Sequence, residues 1–263
     1  FDTTPYTILV VDDNPDMTDF LKRTFEGYFK RIIIAGDGVE ALQLVRSHVP
    51  DIIVSDVMMP RMNGYELCKT IKEDIAISHI PVILLTAKDD KQSLISGYKN
   101  GADGYLSKPF EVEMLMELIR NRLKNREYTK KRYLNAGLIP TPEESTISLT
   151  DETFLIKLNS IIQENIDNTN LGIQFICQEV GLGRSSLYNK LKALTGMGAN
   201  EYISKLRIEK AITLISGTDM PFSEIAEKTG FTTPSYFSTT FKQYTGETPS
   251  QYKERKKKGL TDQ

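Results

Sequence analysis

Five short apolar runs, alternating with helical patterns over the first half of the chain, constrain its fold more than any other feature. Asp51-Ile-Ile-Val-Ser-Asp-Val-Met-Met-Pro60 is the sharpest: Ile52-Ile53-Val54 runs unbroken and then stops at a carboxylate, Asp56. A β-branched run of this kind reads as a strand buried on both faces, as in a parallel sheet. Pro60 and the Asn63-Gly64 pair then force a loop. Asp56 therefore belongs at the carboxyl end of a central strand, where open α/β sheets place their chemistry. There it is a candidate nucleophile, metal ligand or acid/base group.

The other runs repeat the pattern. Tyr6 to Val11 ends at Asp12-Asp13, Ile32 to Ala35 at Gly36-Asp37-Gly38, Pro81 to Leu85 at Thr86-Ala87, and Asp103 to Leu106 at Ser107-Lys108-Pro109. Between them apolar residues recur at helical spacing. Met17, Phe20, Leu21, Thr24 and Phe25 make one face; Val39 to Val45 reads as a helix; Leu67, Cys68 and Ile71 make the next face. A helix is predicted from about Lys91 to Asn100, and another from Glu111 through about Arg126 on Met114, Leu115, Leu118, Ile119 and Leu123. Five alternations predict an α/β doubly wound domain over residues 1–126, with a flavodoxin-like five-stranded parallel sheet.

Asp12, Asp13, Asp56, Thr86 and Lys108 then converge on one edge of that sheet. Each alone has a bland reading, since a strand-end Asp commonly forms a turn or caps a helix. Together they make a charged pocket. Three carboxylates repel one another unless a divalent cation neutralises them, and hard oxygen ligands suit Mg²⁺. Metal, ammonium and hydroxyl can hold the oxygens of a phosphoryl group. Asp56, the central carboxylate, is the natural attacker, forming an acyl phosphate.

On Val10-Val-Asp-Asp13, Asp56-Val-Met-Met-Pro60 with Gly64, Leu85-Thr-Ala87 and Gly101-Ala-Asp-Gly-Tyr-Leu-Ser-Lys-Pro-Phe110, the chain resembles the receiver domain of two-component response regulators over residues 6–124. The resemblance implies that Asp56 accepts a phosphoryl group from a histidine kinase. It implies Mg²⁺ held by Asp12, Asp13, Asp56 and the backbone carbonyl of Met58, and phosphate held by Thr86 and Lys108. It makes Thr86 and Tyr105 a switch, the ring turning inward as Thr86 moves to the phosphate. Family positions that tune acyl phosphate hydrolysis are Met58 and Lys88 here. Met58 is poorly suited to orient a water, so slow self-dephosphorylation is expected.

Residues 127–150 read as a linker, from the basic run Lys124-Asn-Arg-Glu-Tyr-Thr-Lys-Lys-Arg132 to Pro140-Thr-Pro142. Beyond it every pattern is helical. Residues 151–258 form an all-α domain and 259–263 a tail. An internal repeat aligns Ile176, Gly181 and Leu182 with Ile225, Gly230 and Phe231, and Leu187, Leu191, Thr195-Gly196 and Tyr202 with Phe237, Phe241, Thr245-Gly246 and Tyr252. Each unit is helix, Gly-containing turn, helix, the pattern of a helix-turn-helix, and residues 200–215 join the two. In the second helices Leu187, Leu191, Leu194, Phe237, Phe241 and Tyr244 face inward. Arg184, Ser185, Ser186, Asn189, Lys190 and Ala193 are left outward in the first; Ser235, Tyr236, Ser238, Thr239 and Lys242 in the second, with Thr232 and Thr233 capping its start. Such groups reach base edges and phosphates, so the candidate DNA-binding set is Arg184, Ser185, Ser186, Asn189, Lys190, Lys192, Thr233, Ser235, Tyr236, Thr239 and Lys242. Tandem Lys-x-x-Thr-Gly units with a Tyr six residues on, and Pro221 to Phe231 through Lys242 and Thr248-Pro249, resemble the AraC-type DNA-binding domain over residues 151–256.

The remaining bounds are weaker. A net charge of −2 identifies no partner. Two distant cysteines, Cys68 and Cys177, suggest a reducing, cytoplasmic setting, and no run approaches the ~20 apolar residues that span a bilayer. The expected function is a phosphorylation-gated DNA-binding transcription regulator with a histidine kinase and double-stranded DNA as partners, a homodimer on phosphorylation, and RNA polymerase as a further partner. It is expected not to be an enzyme beyond its own phosphorylation chemistry: an aspartyl-phosphate phosphatase or phosphotransferase wants a carboxylate two residues after its nucleophile, where Met58 stands. A never-phosphorylated scaffold would not need all five polar residues. The arrangement is also similar to the C-terminal part of hybrid two-component sensors, in which a membrane kinase, a receiver and an AraC-type module share one chain. Such hybrids are typical of gut Bacteroidetes and often control polysaccharide use, and the start at Phe1 fits a segment of something longer.

Overall fold

The computed structural model describes residues 1–87, 101–135 and 148–261. It contains two compact units, Phe1–Thr153 with Lys192–Gly196, and Phe154–Leu191 with Met197–Gln263. In the first, β1 (Thr7–Val11), β2 (Arg31–Ala35), β3 (Ile52–Asp56), β4 (Val82–Ala87) and β5 (Gly104–Lys108) form one parallel sheet in the order β2-β1-β3-β4-β5. Helices α1 (Pro15–Phe25), α2 (Gly38–His48), α3 (Gly64–Glu73) and α4 (Val112–Asn135) accompany it.

The strands read as continuous apolar runs because both faces are covered. Ile8, Val10, Ile52 and Val54 share a core with Leu21 and Phe25 of α1 and Leu115, Ile119 and Leu123 of α4. Leu9, Val11 and Ile53 pack with Ala41 and Val45 of α2 and Leu67 and Ile71 of α3. Strand period two thus assigns alternate residues to opposite faces.

Three expectations are corrected. Phe20 is exposed, because the inward stripe of α1 is Thr18, Leu21 and Phe25. β4 and β5 run on to Ala87 and Lys108, pairing Thr86 with Ser107 and Ala87 with Lys108, so the two polar site residues lie within the ladder. The helix expected to end near Arg126 continues to Asn135. Nothing between 112 and 135 breaks it, since that stretch lacks Gly and Pro, and Lys130 pairs with Glu127 at 2.6 Å across one turn. Residues 127–135 are therefore helix. The helix expected over 91–100 and the segment 136–147 lie outside the described residues.

The rest is helical: α5 (Leu149–Glu164), α6 (Ile173–Val180), α7 (Arg184–Thr195), α8 (Ala199–Gly217), α9 (Phe222–Lys228), α10 (Pro234–Thr245) and α11 (Pro249–Thr261). The repeat appears as two helix pairs, α6–α7 and α9–α10. Each pair turns at a left-handed glycine, Gly181 and Gly230, both with φ of 71°. Ile208, Ala211 and Ile215 of α8 pack on Ile225, Phe231, Phe237 and Phe241. The rings of Phe231, Phe237, Phe241 and Tyr252 run in series at centroid spacings of 5.3, 5.7 and 5.6 Å.

One group in α8 makes this unit pH-sensitive. Burial pushes the Glu209 carboxyl up to about 7, and Lys205, whose ammonium is 3.9 Å away, lowers it only in part. A carboxyl raised on folding contributes stability fully below its ordinary value near 4.5, and loses it as pH rises toward 7. Glu209→Gln is expected to be more stable than wild type by about 1–2 kcal/mol at pH 8, after discounting for solvent, and indistinguishable at pH 4.5. Urea unfolding followed by circular dichroism at the two pH values checks it. A variant no more stable at pH 8 contradicts the burial penalty.

Candidate functional site

A parallel sheet brings the carboxyl ends of its strands to one edge. Asp12 follows β1 directly and extends the ladder, its N–H donating to the Ala35 carbonyl at 3.2 Å. Asp56 is the last residue of β3 and pairs with Leu85, and Val57 N–H continues to the Leu85 carbonyl at 3.0 Å. Carboxylate oxygens of Asp12, Asp13 and Asp56 lie within 4.8 Å of one another, the one such cluster among the described residues. Lys108 completes the group. Its Nζ stands 2.9 Å from Asp12 Oδ2 and 2.9 Å from Asp56 Oδ1. Asn14 N–H donates to Asp12 Oδ1 at 2.9 Å and holds that carboxylate in orientation.

The electrostatics follow from burial and charge count. Burial raises the Asp56 carboxyl above its usual range; Lys108 pulls it down and Asp12 adds to the rise. Burial alone would lower the Lys108 ammonium, but hydrogen bonds to Asp56 and Asp12 outweigh it and hold it above the ordinary lysine value. Three carboxylates facing one ammonium leave an excess of negative charge among hard oxygens, with Asp13 exposed to solvent. That donor set fits a divalent cation of the Mg²⁺ type.

Thr86 is buried, and its Oγ1 donates to the Ala87 carbonyl at 3.2 Å. Tyr105, on β5, is half-buried and packs beside the core of the α2–α3 face. Met58 is 72% exposed, in the loop between β3 and α3. Gly64 ends that loop by necessity. Its N–H donates to the Val57 carbonyl at 2.9 Å, and a Cβ there would come within 2.2 Å of the Asp56 carbonyl oxygen. Lys88 lies outside the described residues.

The second helices of the two repeats present most of the expected surface. On α7, Arg184, Ser185 and Lys192 are exposed and Ser186 and Asn189 half-buried; on α10, Ser235, Tyr236, Thr239 and Lys242 are exposed. Thr233 is exposed and caps α10 by accepting from Tyr236 N–H at 3.2 Å. Lys190 is corrected. It is fully buried, with its ammonium 5.0 Å from the centre of the Phe154 ring. Three residues after Leu187 and four before Leu194, it falls within the apolar stripe, so its charge turns onto an aromatic face instead of outward. Ala193 is buried as well, while Tyr244, expected inside, is exposed, its hydroxyl donating to the Glu201 carbonyl at 2.9 Å. Tyr188 is the residue sequence reasoning missed. It is 55% exposed and shares one helical row with Arg184 and Lys192, a spacing of four that signals a common face.

Comparison with known proteins agrees with both halves. A family model for the response regulator receiver domain matches residues 8–120, and one for a helix-turn-helix domain matches residues 176–255. Over 249 residues the chain is 41% identical to histidine kinase P4 of Formosa agariphila, which covers 95% of this chain and 18% of the kinase. It is 37% identical over 136 residues to DNA-binding response regulator MtrA of Mycolicibacterium smegmatis, 52% of this chain and 58% of that protein. It is 36% identical over 165 residues to response regulator MprA of Mycobacterium sp. strain KMS, 58% of this chain and 70% of that protein. The chain thus spans less than a fifth of the kinase and somewhat over half of MtrA. With the acidic cluster at the sheet edge of the first half and the paired helix-turn-helix units in the second half of the sequence, the chain belongs to the two-component response regulators, as a receiver domain followed by an AraC-type helix-turn-helix domain.

Proposed function

We propose that this chain is a transcription regulator in which a histidine kinase phosphorylates Asp56, and that the acyl phosphate controls sequence-specific DNA binding through α7 and α10. The observation that carries the reading is the meeting of Asp12, Asp13, Asp56 and Lys108 at one sheet edge. An Asp56 carboxylate oxygen attacks the phosphorus of a phosphohistidine. The new P–O bond forms as the P–N bond breaks, and the imidazole leaves with the electron pair. Asp12, Asp13, Asp56 and the Met58 carbonyl would hold Mg²⁺, which when bound draws charge from the phosphoryl oxygens. Lys108, already against Asp56, meets the incoming phosphoryl group with its ammonium. Thr86 must turn its hydroxyl from the Ala87 carbonyl to donate to a phosphoryl oxygen. The space it leaves is where the half-buried Tyr105 ring can move, and a few kcal/mol of preference for one receiver conformation suffices to shift the population.

Pairing of two phosphorylated receivers would place two DNA modules on adjacent sites and raise affinity through effective concentration. RNA polymerase is the further partner such a regulator would address. The chain turns over no outside phosphoester, because Met58 offers no carboxylate as acid or base. For the same reason, the acyl phosphate outlives the seconds scale. No helix among the described residues is long and apolar enough to cross a membrane, in keeping with a cytoplasmic segment. The 41% identity to a histidine kinase, over a segment that is 18% of it, favours a second reading: this is the receiver and output portion of a longer hybrid sensor.

Incubation with acetyl phosphate and Mg²⁺ followed by intact-mass measurement tests the acceptor. One added phosphoryl group is expected on the wild type and none on Asp56→Asn. Full incorporation into the variant places the acceptor elsewhere. On the DNA side, Lys242→Ala is expected to reduce the salt dependence of binding by about one counterion. Lys190→Ala should leave that slope unchanged and lower the stability of the helical unit instead.

A further inference from the structure

We infer that Asp37 and Arg61 form a positioning pair that fixes the loop after Asp56 and so sets how well the acidic cluster takes up Mg²⁺. This rests on reading Asp12, Asp13, Asp56 and the Met58 carbonyl, which lies on that loop, as the Mg²⁺ ligands. Neither residue belongs to that cluster, and the phosphoryl chemistry above uses neither.

The loop from Val57 to Asn63 is tied down at its far end by Gly64 and by a capping box, in which Asn63 and Glu66 exchange side-chain-to-backbone hydrogen bonds at 2.9 and 3.0 Å. Its middle is folded more tightly. Met62 N–H donates to the Pro60 carbonyl at 2.7 Å, closing a three-residue turn with Arg61 at its centre and a φ of 64°. Glycine or asparagine takes that conformation at little cost, whereas an arginine is strained there. Arg61 is also 62% exposed along its side chain, so burial does not explain it. What arginine adds is a guanidinium, and its Nη2 pairs with Asp37 Oδ2.

Asp37 is built to receive it. The residue sits just past β2 and is buried, and its Oδ1 accepts the Val39 and Glu40 N–H groups at 2.8 and 3.1 Å to cap α2. That leaves Oδ2 for Arg61. A buried carboxylate so placed is costly without a cation. The backbones meet beside it: Gly38 N–H donates to the Met62 carbonyl at 3.2 Å, and a Cβ at Gly38 would come within 2.6 Å of that oxygen. In the sheet order, β2 and β3 flank β1. The clamp therefore joins the two strand ends on either side of β1, the strand that leads into Asp12 and Asp13. It ties the loop that follows Asp56 to the end of the strand beside Asp12.

Mg²⁺ demands near-ideal octahedral geometry, whereas Ca²⁺ accepts flexible coordination. Loss of a clamp that only positions ligands must therefore harm Mg²⁺ more than Ca²⁺. Asp37→Asn is the discriminating variant, because asparagine still caps α2 but carries no charge. Arg61→Gly removes the cation and relieves the backbone at an exposed position, which keeps the test open if Asp37→Asn fails to fold. Calorimetric titration of the full chain with Mg²⁺ and with Ca²⁺, with circular dichroism to check folding, is the experiment. Asp37→Asn and Arg61→Gly are expected to weaken Mg²⁺ binding about 10-fold and Ca²⁺ binding less than about threefold, with Arg61→Lys in between. Unchanged Mg²⁺ affinity in folded variants overturns the inference, and so does equal weakening of both ions. A wild type that binds no Mg²⁺ overturns instead the reading on which it rests.

Discussion

Lys108→Ala is expected to slow phosphoryl uptake from acetyl phosphate by about 10²–10³-fold while leaving Mg²⁺ affinity undiminished. The split follows from what the ammonium touches. It stands 2.9 Å from an oxygen of Asp12 and 2.9 Å from one of Asp56, and it is the cation paired with both. Without it the carboxylates face one another with less compensation, and a divalent ion becomes more welcome, not less. The phosphoryl group, by contrast, loses the charge that would meet its oxygens during transfer. Stopped-time intact-mass measurements give the rate and calorimetry gives the metal affinity. Wild-type rates in the variant, or a collapse of metal binding, contradict this division of labour.

Gly230→Ala is expected to unfold the helix-turn-helix unit under conditions in which the receiver stays folded. A Cβ at Gly230 would come within 2.3 Å of the Ile166 carbonyl oxygen and 2.7 Å of Arg207 Nη2, on a backbone with φ of 71°. Arg207 is buried and donates through Nε to the Ile166 carbonyl at 3.2 Å and through Nη2 to the Asn168 carbonyl at 2.7 Å. Moving aside would strip a buried cation of its acceptors, so the turn cannot yield cheaply. The expected cost is about 3–5 kcal/mol, combining backbone strain, overlap and lost charge-assisted hydrogen bonds. Gly181→Ala is the control. It has the same φ but nothing within 4 Å of the added carbon, so strain alone should cost about 1–2 kcal/mol. Denaturant unfolding distinguishes them, and phosphoryl uptake at Asp56 should persist in both. Equal effects at the two glycines would contradict the packing argument.

The sheet was legible because its strands are buried on both faces, so apolar runs such as Ile52-Ile53-Val54 had no polar alternation to obscure them. The acidic cluster was legible for a related reason: each of its members interrupts or follows such a run. The Asp37–Arg61 clamp was not. Its partners are 24 residues apart, and no pattern announces an arginine at positive φ. The charge of Lys190 points to solvent, whereas its spacing from Leu187 and Leu194 puts it in the buried stripe. The end of α4 is harder to read, because a basic, polar run suits the solvated face of a longer helix as well as a linker.

The central claim is that chemistry at Asp56 governs DNA binding. Affinity for a target duplex, measured for wild type and Asp56→Asn with and without acetyl phosphate at fixed salt, tests it most directly. The expected result is tightening of about tenfold or more in the phosphorylated wild type alone, equivalent to a population shift of roughly 1.4 kcal/mol. The same affinity in all four conditions would contradict it.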